Sequence, residues 1–377
     1  MRGTIKKDGT SWYVLYDLGK DPVTGKRKQK KKRGFRTKKD AEKYLSEQLN
    51  AIEKGTYFEP KDITFGEYLD YWLEKHAKPN TAVRTLEGYN YIIQQHLKPS
   101  LSNIQIAKLQ PFHLQEYYSQ KLENGKFDGT GLSAQSVKHH HRLIHKALKD
   151  AVKWLFLVRN VAENVTPPKT TKTKMKIWDN EQLKIFLKAA KDSVYYTVYL
   201  TASYTGMRRG EVLGLRWQDV DFNNNIIFVR QALQEVKKVG LTFKEPKSGN
   251  SRSISITPTL AKELKKVYNQ ILVNKLSLGQ MYTDLDLVFA QKNGKPIQPA
   301  ELAKNYRKVV ENSGLHYIRF HDLRHTHATL LLQQGVHPKI VSERLGHSTI
   351  GITMDTYTHV LPNMQKEAAL QFDKLIK

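Results

Sequence analysis

The chain has 377 residues, which suggests two or three domains that each bury a core without disulfide or metal support. Lys and Arg number 62 and Asp and Glu 36, so the formal net charge of +26 predicts a polyanionic partner, with nucleic acid ahead of an anionic membrane surface. The absence of cysteine excludes disulfides, cysteine-based zinc sites and a thiol nucleophile. No apolar run approaches the roughly 18 residues of a membrane span, so we expect a soluble, intracellular protein.

Residues 1–60 are predicted to form a small sheet with one helix on it. Residues 11–16 are typical of a strand, residues 21–25 are typical of a turn, and a highly basic second strand precedes a helix that begins at Thr37. Such a charge run can also be a solvated face or a disordered tail, but its position between Trp12 and a capped helix favours an ordered surface that follows a phosphate backbone. The cations expected to contact DNA there are Lys26, Arg27, Lys28, Lys30, Lys31, Lys32 and Arg33.

Residues 61–165 are predicted to be all-helical, because apolar residues recur at helical spacing throughout. Breakers at Pro79, Pro99, Pro111 and residues 129–131 divide this unit into about four helices. One of these helices contains Lys138 and Arg142, which we expect on a DNA-facing surface. The three histidines between them, at 139–141, point in three directions on a helix, so we expect a DNA-facing or solvated face rather than a metal cluster.

The segment 166–174 combines proline, threonine and lysine, and is predicted to be an extended, cationic linker. Residues 175–377 then form one domain of mixed helix and strand, with a capping box at Asp179 and strands at 225–230 and 252–256.

Four short stretches in this last domain stand out by their order and spacing. They are residues 205–211 (TGMRRGE), 246–248 (PKS), 321–324 (HDLR) and 345–347 (LGH), with Tyr357 ten residues after the last. Together these stretches resemble the tyrosine recombinases, and specifically the integrases of temperate phages and conjugative transposons. The run from Leu345 to Val360 is the most specific part, and the domain order extends the resemblance over essentially the whole chain.

The resemblance implies a multidomain α+β fold with a small N-terminal three-stranded sheet plus helix, an all-α core-binding domain and a mixed α/β catalytic domain. It further implies an enzyme that cleaves and rejoins DNA through a 3′-phosphotyrosyl intermediate and a Holliday junction. The expected partners are double-stranded arm and core sites, a homotetramer on DNA, an excisionase and a host DNA-bending protein. The expected compartment is the bacterial cytoplasm, and no cofactor or metal is expected.

Elementary chemistry agrees with this resemblance. Attack on a phosphodiester concentrates negative charge on two non-bridging oxygens, which the forked guanidinium of arginine binds in a bidentate manner. A phenol is activated and expelled more easily than an alcohol, so a phosphotyrosyl link stays reversible. The sequence has no phosphate-binding loop of the ATPase type, and fixed cations can replace Mg²⁺ in stabilising charge.

By the resemblance, Arg208 and Arg324 bind the scissile phosphate and Tyr357 attacks it. His321 acts as an acid, base or phosphate contact, and His347 donates a hydrogen bond to the phosphate.

The resemblance also places a lysine in the loop between the two strands, where it protonates the leaving 5′-oxygen. Lys247 is assigned to this role, with Lys244 three residues away as the alternative. Glu211 is expected to orient the site, since it shares a helical face with Arg208.

Other functions and sites fit the sequence less well. His321 and His325 lie four residues apart, as in some zinc sites, but the acidic residue is Asp rather than Glu, Arg324 is close and no third ligand is evident. A type IB topoisomerase shares the chemistry but does not need a separate arm-binding sheet. A DNA-binding regulator with a dead site would not need every catalytic residue type. The tail 361–377 is expected either to pack on its own domain or to dock on a neighbouring protomer.

Overall fold

A computed structural model describes residues 3–20, 25–53, 62–171, 175–236, 239–245 and 251–357, together with Leu370, Phe372, Asp373 and Ile376. The chain divides into two compact units, Met1–Thr171 and Lys172–Lys377. The finer division at residues 60, 165 and 174 stays a prediction. No helix among these described residues combines the length and the apolar character needed to cross a membrane.

The first unit begins with an antiparallel sheet of three strands in sequence order. The strands are β1 (Gly3–Asp8), β2 (Ser11–Lys20) and β3 (Arg27–Phe35), and the helix Lys38–Glu53 follows them. The helix starts as predicted, because the Asp40 N–H donates to the Thr37 hydroxyl over 3.1 Å and that hydroxyl donates to the Asp40 carboxylate over 2.7 Å. A small core joins sheet and helix through Val14, Tyr16, Ala41 and Leu45.

The basic residues of β3 lie on both faces of this sheet. Lys30 pairs with Tyr16, and Lys32 pairs with Val14. Because Val14 and Tyr16 pack under the helix, both lysines lie on the face that the helix covers. Lys31 pairs with Leu15 on the opposite, open face, where its ammonium lies 3.9 Å from the centre of the Tyr13 ring. The alternation of side chains along a strand therefore separates the cations that sequence had grouped in one row.

Four main helices form the remainder of the first unit, as predicted. They cover residues 65–80, 83–101, Pro111–Asn124 and Ala134–Lys153, and bury a core of their own around Phe65, Tyr68, Trp72, Leu97 and Leu148. Short 3₁₀ turns lie at Ile106–Lys108 and Val161–Asn164.

Pro79 and Pro99 lie one and two residues before the ends of the first two helices, so they mark the predicted divisions without being the boundary residues themselves. Each lies in the last turn of a longer helix, directly after a π-helical turn at Leu73–Ala77 or Ile93–Leu97. A proline cannot donate the helical hydrogen bond and its ring crowds the carbonyl four residues earlier. The wider π turn relieves that crowding, so each helix continues for one more turn.

The expectation of a solvated or DNA-facing histidine run is wrong for His140. Its side chain is buried and hydrogen-bonded to the Tyr117 hydroxyl at 2.8 Å, and His141 is bonded to Tyr118 at 2.9 Å. His139 is exposed, and so is Arg142, whereas Lys138 is half-buried. The three histidines do point in different directions, as predicted, but two of them serve the packing of the helices.

The second unit combines helices with two small sheets. Strands β4 (Val220–Asp221), β5 (Ile226–Val229) and β8 (Arg252–Ser255) form one antiparallel sheet, and β6 (Ala232–Val236) pairs with β7 (Gly240–Lys244) in a hairpin. The helices are Asn180–Ala189, Tyr196–Thr205, Arg209–Leu213, Pro258–Leu278, Pro299–Asn312, Asp322–Gln333, Pro338–Leu345 and Ile350–Tyr357, with 3₁₀ turns at Trp217–Asp219 and Gly279–Met281.

The core of this unit surrounds the helix Tyr196–Thr205, with Trp178, Phe186, Tyr306 and Phe320 among its largest members. A second, smaller apolar cluster contains Ala328, Leu332, Val341, Leu345 and Tyr357. The predicted capping box is present, because the Asp179 N–H and carboxylate each bond to Gln182. The predicted fold class of N-terminal sheet and helix, helical domain and mixed C-terminal domain is confirmed.

Candidate active site

Five of the six residues assigned to catalysis line one open cleft of about 420 Å³ in the second unit. These residues are Arg208, His321, Arg324, His347 and Tyr357. They come from four segments between residues 208 and 357, so folding brings together side chains that are up to 149 positions apart. The sixth residue, Lys247, lies outside the described residues. The alternative, Lys244, is the last residue of strand β7 and its side chain is exposed.

A left-handed glycine directs Arg208 into the cleft. The helix Tyr196–Thr205 ends at Gly206, which has a φ of 66°. A Cβ at this position would lie 2.7 Å from the His327 ring, so the close approach also requires glycine. The chain then turns, and Arg208 becomes the residue that precedes the short helix Arg209–Leu213.

The buried carboxylate of Glu211 holds two arginines. The Arg208 guanidinium donates to Glu211 over 2.8 Å, and Arg252 donates twice, over 2.7 and 3.1 Å. Burial alone would raise the pKa of Glu211, but the hydrogen bonds and charge of Arg252, and then of Arg208, lower that pKa to about 2. Glu211 is therefore ionised at neutral pH and fixes both guanidinium groups.

Arg324 is anchored by backbone carbonyls. Its side chain is 3% exposed, and its two terminal nitrogens donate to the carbonyls of Gly206, over 2.8 Å, and Leu345, over 2.7 Å. Burial, followed by the charge of Arg208, lowers the pKa of Arg324 to about 9, which still leaves the group charged at neutral pH. Three guanidinium groups thus lie near a single carboxylate, an arrangement that an incoming anion would stabilise.

Two histidines complete the polar wall of the cleft. His347 follows Gly346, the left-handed residue that ends the helix Pro338–Leu345, and its Nδ1 is 2.8 Å from the Thr353 hydroxyl. Burial and the charges of nearby arginines lower the pKa of His347 to about 4, and the same causes lower the pKa of His321. Both rings are therefore neutral near pH 7, and each can still donate one hydrogen bond.

Tyr357 ends the helix Ile350–Tyr357 and its side chain is fully buried in the smaller apolar cluster. Burial raises the pKa of Tyr357 to about 12, although the charge of Arg324 acts in the opposite direction. The phenolic oxygen lies 2.7 Å from Nδ1 of His325. Burial and the neighbouring His321 lower the pKa of His325 to about 4, so this ring is neutral beside the tyrosine.

Sequence reasoning missed two residues at this site, Arg252 and His325. Arg252 begins a strand whose alternation gives no reason to single it out, and only its bidentate contact with Glu211 marks it. The spacing of His325 from His321 indicates at most a zinc site, whereas in the structure His325 contacts Tyr357. Among the described residues, no group of three or more His, Asp or Glu is arranged to hold a metal ion.

The chain matches three known domain families. The Phage integrase family matches residues 176–364, an Arm DNA-binding domain matches residues 4–52, and a phage integrase N-terminal SAM-like domain matches residues 64–122.

Curated relatives cover nearly the whole chain. A tyrosine recombinase XerC-like protein of Caldanaerobacter subterraneus is 31% identical, over 96% of this chain and 96% of the relative. The ICEBs1 integrase of Bacillus subtilis is 28% identical, over 99% of this chain and 100% of the relative.

Solved structures show the same fold. The Tn1549 transposon integrase in complex with transposon right end DNA has a TM-score of 0.68 and 21% identity, and covers 84% of this chain and 100% of that one. A lambda integrase tetramer bound to a Holliday junction has a TM-score of 0.57 and 18% identity, and covers 94% of each chain. The chain belongs to the phage integrase family of tyrosine-type site-specific recombinases.

Proposed function

We propose that the chain integrates and excises a mobile genetic element by cutting and rejoining double-stranded DNA at attachment sites, without metal or ATP. The observation that carries the proposal is the cleft itself, in which two anchored arginines and two neutral histidines lie around a buried tyrosine. This set of groups can bind a phosphodiester, supply a nucleophile and stabilise the charge that develops during attack.

The scissile phosphate binds between Arg208 and Arg324 in this proposal. Both guanidinium groups are fixed before DNA arrives, Arg208 by Glu211 and Arg324 by two carbonyls. Preorganised cations stabilise the transition state more effectively than mobile ones, because they need little reorganisation during the reaction. The third cation, Arg252, shares Glu211 with Arg208 and keeps that carboxylate from neutralising Arg208 fully.

The Tyr357 oxygen attacks phosphorus, and the bond to the 5′-oxygen breaks, which leaves a 3′-phosphotyrosyl link and a free 5′-hydroxyl. Lys247 gives a proton to the leaving oxygen. His347 donates a hydrogen bond to a non-bridging oxygen, and His321 supplies a second contact or exchanges a proton there. The reverse reaction with a different 5′-hydroxyl completes strand exchange through a Holliday junction.

The chain engages two kinds of DNA site. The N-terminal sheet, with its exposed cations Lys26, Arg27, Lys28, Lys31, Lys32 and Arg33 and the half-buried Lys30, binds arm sites. Residues 62–171, with Lys138 and Arg142, join the catalytic unit in binding core sites. Four copies assemble on the DNA, as the solved lambda integrase tetramer does. An excisionase and a host DNA-bending protein set the direction of the reaction in the bacterial cytoplasm.

Two alternative functions explain less. A type IB topoisomerase would share the cleft chemistry, but it gives no reason for a segment that matches an arm DNA-binding domain. A DNA-binding regulator gives no reason for a tyrosine hydroxyl buried beside anchored arginines. Relaxation of supercoiled DNA without site preference would support the topoisomerase instead.

The test is a covalent adduct formed in EDTA with labelled DNA from the region that flanks the gene, where integrase attachment sites commonly lie. We expect an adduct that resists SDS and is linked through the 3′-phosphate for the wild-type chain, and none for Tyr357→Phe. A pre-nicked duplex traps the cleaved state and guards against rapid rejoining. Tight, site-specific binding without an adduct on the nicked duplex would contradict catalysis, and equal adducts from both proteins would exclude Tyr357 as the nucleophile.

A further inference from the structure

We propose that His325 is the general base that takes the phenolic proton from Tyr357 during cleavage and returns it during rejoining. The inference rests on the proposed function, since it names the proton acceptor for the same attacking oxygen. The contact that carries it is the 2.7 Å hydrogen bond between His325 Nδ1 and the Tyr357 oxygen.

Both partners of this hydrogen bond are held in place. His325 directly follows Arg324 on the helix Asp322–Gln333, and the two carbonyl bonds of Arg324 fix that turn of the helix. The Tyr357 ring is fully buried in an apolar cluster with Val341 and Leu345. A base must lie within hydrogen-bond reach of the proton that it removes, and this pair already meets that requirement before DNA binds.

The chemistry of Tyr357 requires a base. With a pKa of about 12, only about one phenol in 10⁵ is ionised at pH 7. His325 is neutral at this pH, so its Nδ1 can accept the proton in the tautomer that carries hydrogen on Nε2. The phenolic proton becomes strongly acidic as the oxygen–phosphorus bond forms, so even a weak base suffices when transfer and attack coincide.

The charged surroundings of His325 change when DNA enters the cleft. The groups that act on it are His321, Asp322, Arg324 and Arg319 near its own helix, Tyr357 from the helix Ile350–Tyr357, and His347. Its ring lies 5.2 Å from that of His321 in an edge-to-face arrangement. The phosphate adds negative charge beside these cations, which raises the pKa of His325 and strengthens it as a base.

The step balances in atoms and protons. The Tyr357 oxygen bonds to phosphorus and its proton passes to His325 Nδ1, while the bond from phosphorus to the 5′-oxygen breaks. The leaving oxygen takes its proton from Lys247. In the rejoining step a 5′-hydroxyl oxygen bonds to phosphorus and its proton returns to Lys247, while the bond from phosphorus to the Tyr357 oxygen breaks and His325 returns its proton to that oxygen. No oxidant, metal or co-reactant is consumed.

The experiment compares single-turnover cleavage of a pre-nicked attachment-site duplex by four full-length proteins between pH 6.5 and 9. The proteins are the wild type, His325→Asn, His321→Asn and the control His316→Asn, an exposed histidine outside the cleft. Asparagine can place an amide oxygen near the Nδ1 position and so keep the hydrogen bond, but it cannot accept a proton at neutral pH. His325→Asn thus separates orientation from basicity.

We expect cleavage by the wild type and His316→Asn to vary little over this pH range. His325→Asn should be slower by about 10²- to 10⁴-fold at pH 7, the usual contribution of a general base, and should gain about tenfold in rate per pH unit. Its DNA affinity and melting temperature should match the wild type, and His325→Phe, which loses the hydrogen bond as well, should show the same slope.

Three results would overturn the inference. If the cleavage rate of His325→Asn depended on pH in the same way as that of the wild type, His325 would not be the base and would at most position Tyr357. A pH slope in His321→Asn but not in His325→Asn would assign the base to His321. Absence of an adduct from the wild type on DNA that it binds would reject the proposed function itself, and with it this step.

Discussion

Glu211 carries a buried negative charge between Arg208 and Arg252. Removing this charge is therefore expected to affect both the stability of the fold and the rate of cleavage. Removing one partner of a buried ion pair leaves the others without compensation, which typically costs about 3–5 kcal/mol. Here two arginines would lose their common acceptor, and one of them is proposed to bind the phosphate. Glu211 thus links the stability of the second unit, Lys172–Lys377, to the alignment of the arginines in its cleft.

Glu211→Gln should therefore lower the free energy of unfolding of the catalytic unit by about 3 kcal/mol at pH 7 and slow cleavage. The folded pKa of about 2 lies below the ordinary value of 4.5, so the carboxylate stabilises the fold above pH 4.5. That contribution declines as the pH falls from 4.5 towards 2, by about 2 kcal/mol at pH 3. Urea unfolding at pH 7 and pH 3 measures the shrinking difference between variant and wild type.

A matched control is Asp219→Asn. Asp219 is also buried between two arginines, Arg216 at 2.7 Å and Arg230 at 3.0 Å, but it does not line the cleft. The Asp219→Asn protein should have a lower free energy of unfolding than the wild type. Its cleavage rate per folded molecule should equal that of the wild type. If both variants lost cleavage equally, the effect of Glu211 would be one of folding alone.

At the scale of elements, the sequence predicted most of the fold because periodicity and capping are local properties. Strands β2 and β3, the capped helix after Thr37 and the strands β5 and β8 follow from strand composition, turn residues and capping boxes, whereas the third N-terminal strand was implied only by the family resemblance. The continuation of two helices past Pro79 and Pro99 did not follow, because a π turn depends on the backbone that precedes the proline. The hairpin β6–β7 was also missed, although its pairing is local and only three residues separate its strands.

In the cleft, too, residues within short motifs were predictable from the sequence, and residues defined by long-range contacts were not. Arg208, Arg324 and Tyr357 were found from motifs, and each was brought into one cleft. Arg252 and His325 were not recognised, because their significance lies in contacts across 41 and 32 positions of sequence. Only the folded chain shows that Arg252 contacts Glu211 and that His325 contacts Tyr357.

The two faces of β3 give an element-scale prediction about arm-site binding. Lys31 lies on the open face beside Tyr13, whereas Lys32, its neighbour in sequence, lies on the helix-covered face. If the open face contacts arm-site DNA, Lys31→Ala should weaken binding about three- to tenfold and lower the slope of log affinity against log salt by about one. Lys32→Ala, with the same change in charge, should have a smaller effect.

Salt titrations of full-length protein on arm-site duplexes measure both quantities. Equal losses for the two lysines would mean that the sheet binds through its total charge rather than through one face. A larger loss of affinity for Lys32→Ala than for Lys31→Ala would mean that the DNA does not bind to the open face of the sheet.

At the scale of the whole molecule, a charge of +26 explains affinity for DNA but does not explain assembly. Like-charged copies repel one another, so a tetramer on DNA needs specific apolar contacts between protomers as well as phosphate neutralisation. The C-terminal tail offers candidates, because Leu370, Phe372 and Ile376 are 54%, 64% and 71% exposed. Most of the segment 361–377 lies outside the described residues, so packing on its own domain and docking on a neighbouring protomer both stay predictions.

Deleting residues 361–377 should therefore impair assembly more than binding, since Tyr357 and the cleft residues remain. We expect the affinity of one protomer for a single core site to change less than twofold, while formation of the four-protomer complex and of Holliday junctions falls at least tenfold. Leu370→Ala combined with Phe372→Ala should act in the same direction with the chain length preserved. Gel-shift titrations resolve the two kinds of complex. Equal losses of single-site binding and assembly would show instead that the tail supports its own protomer, because a contact made only between protomers cannot affect the binding of one.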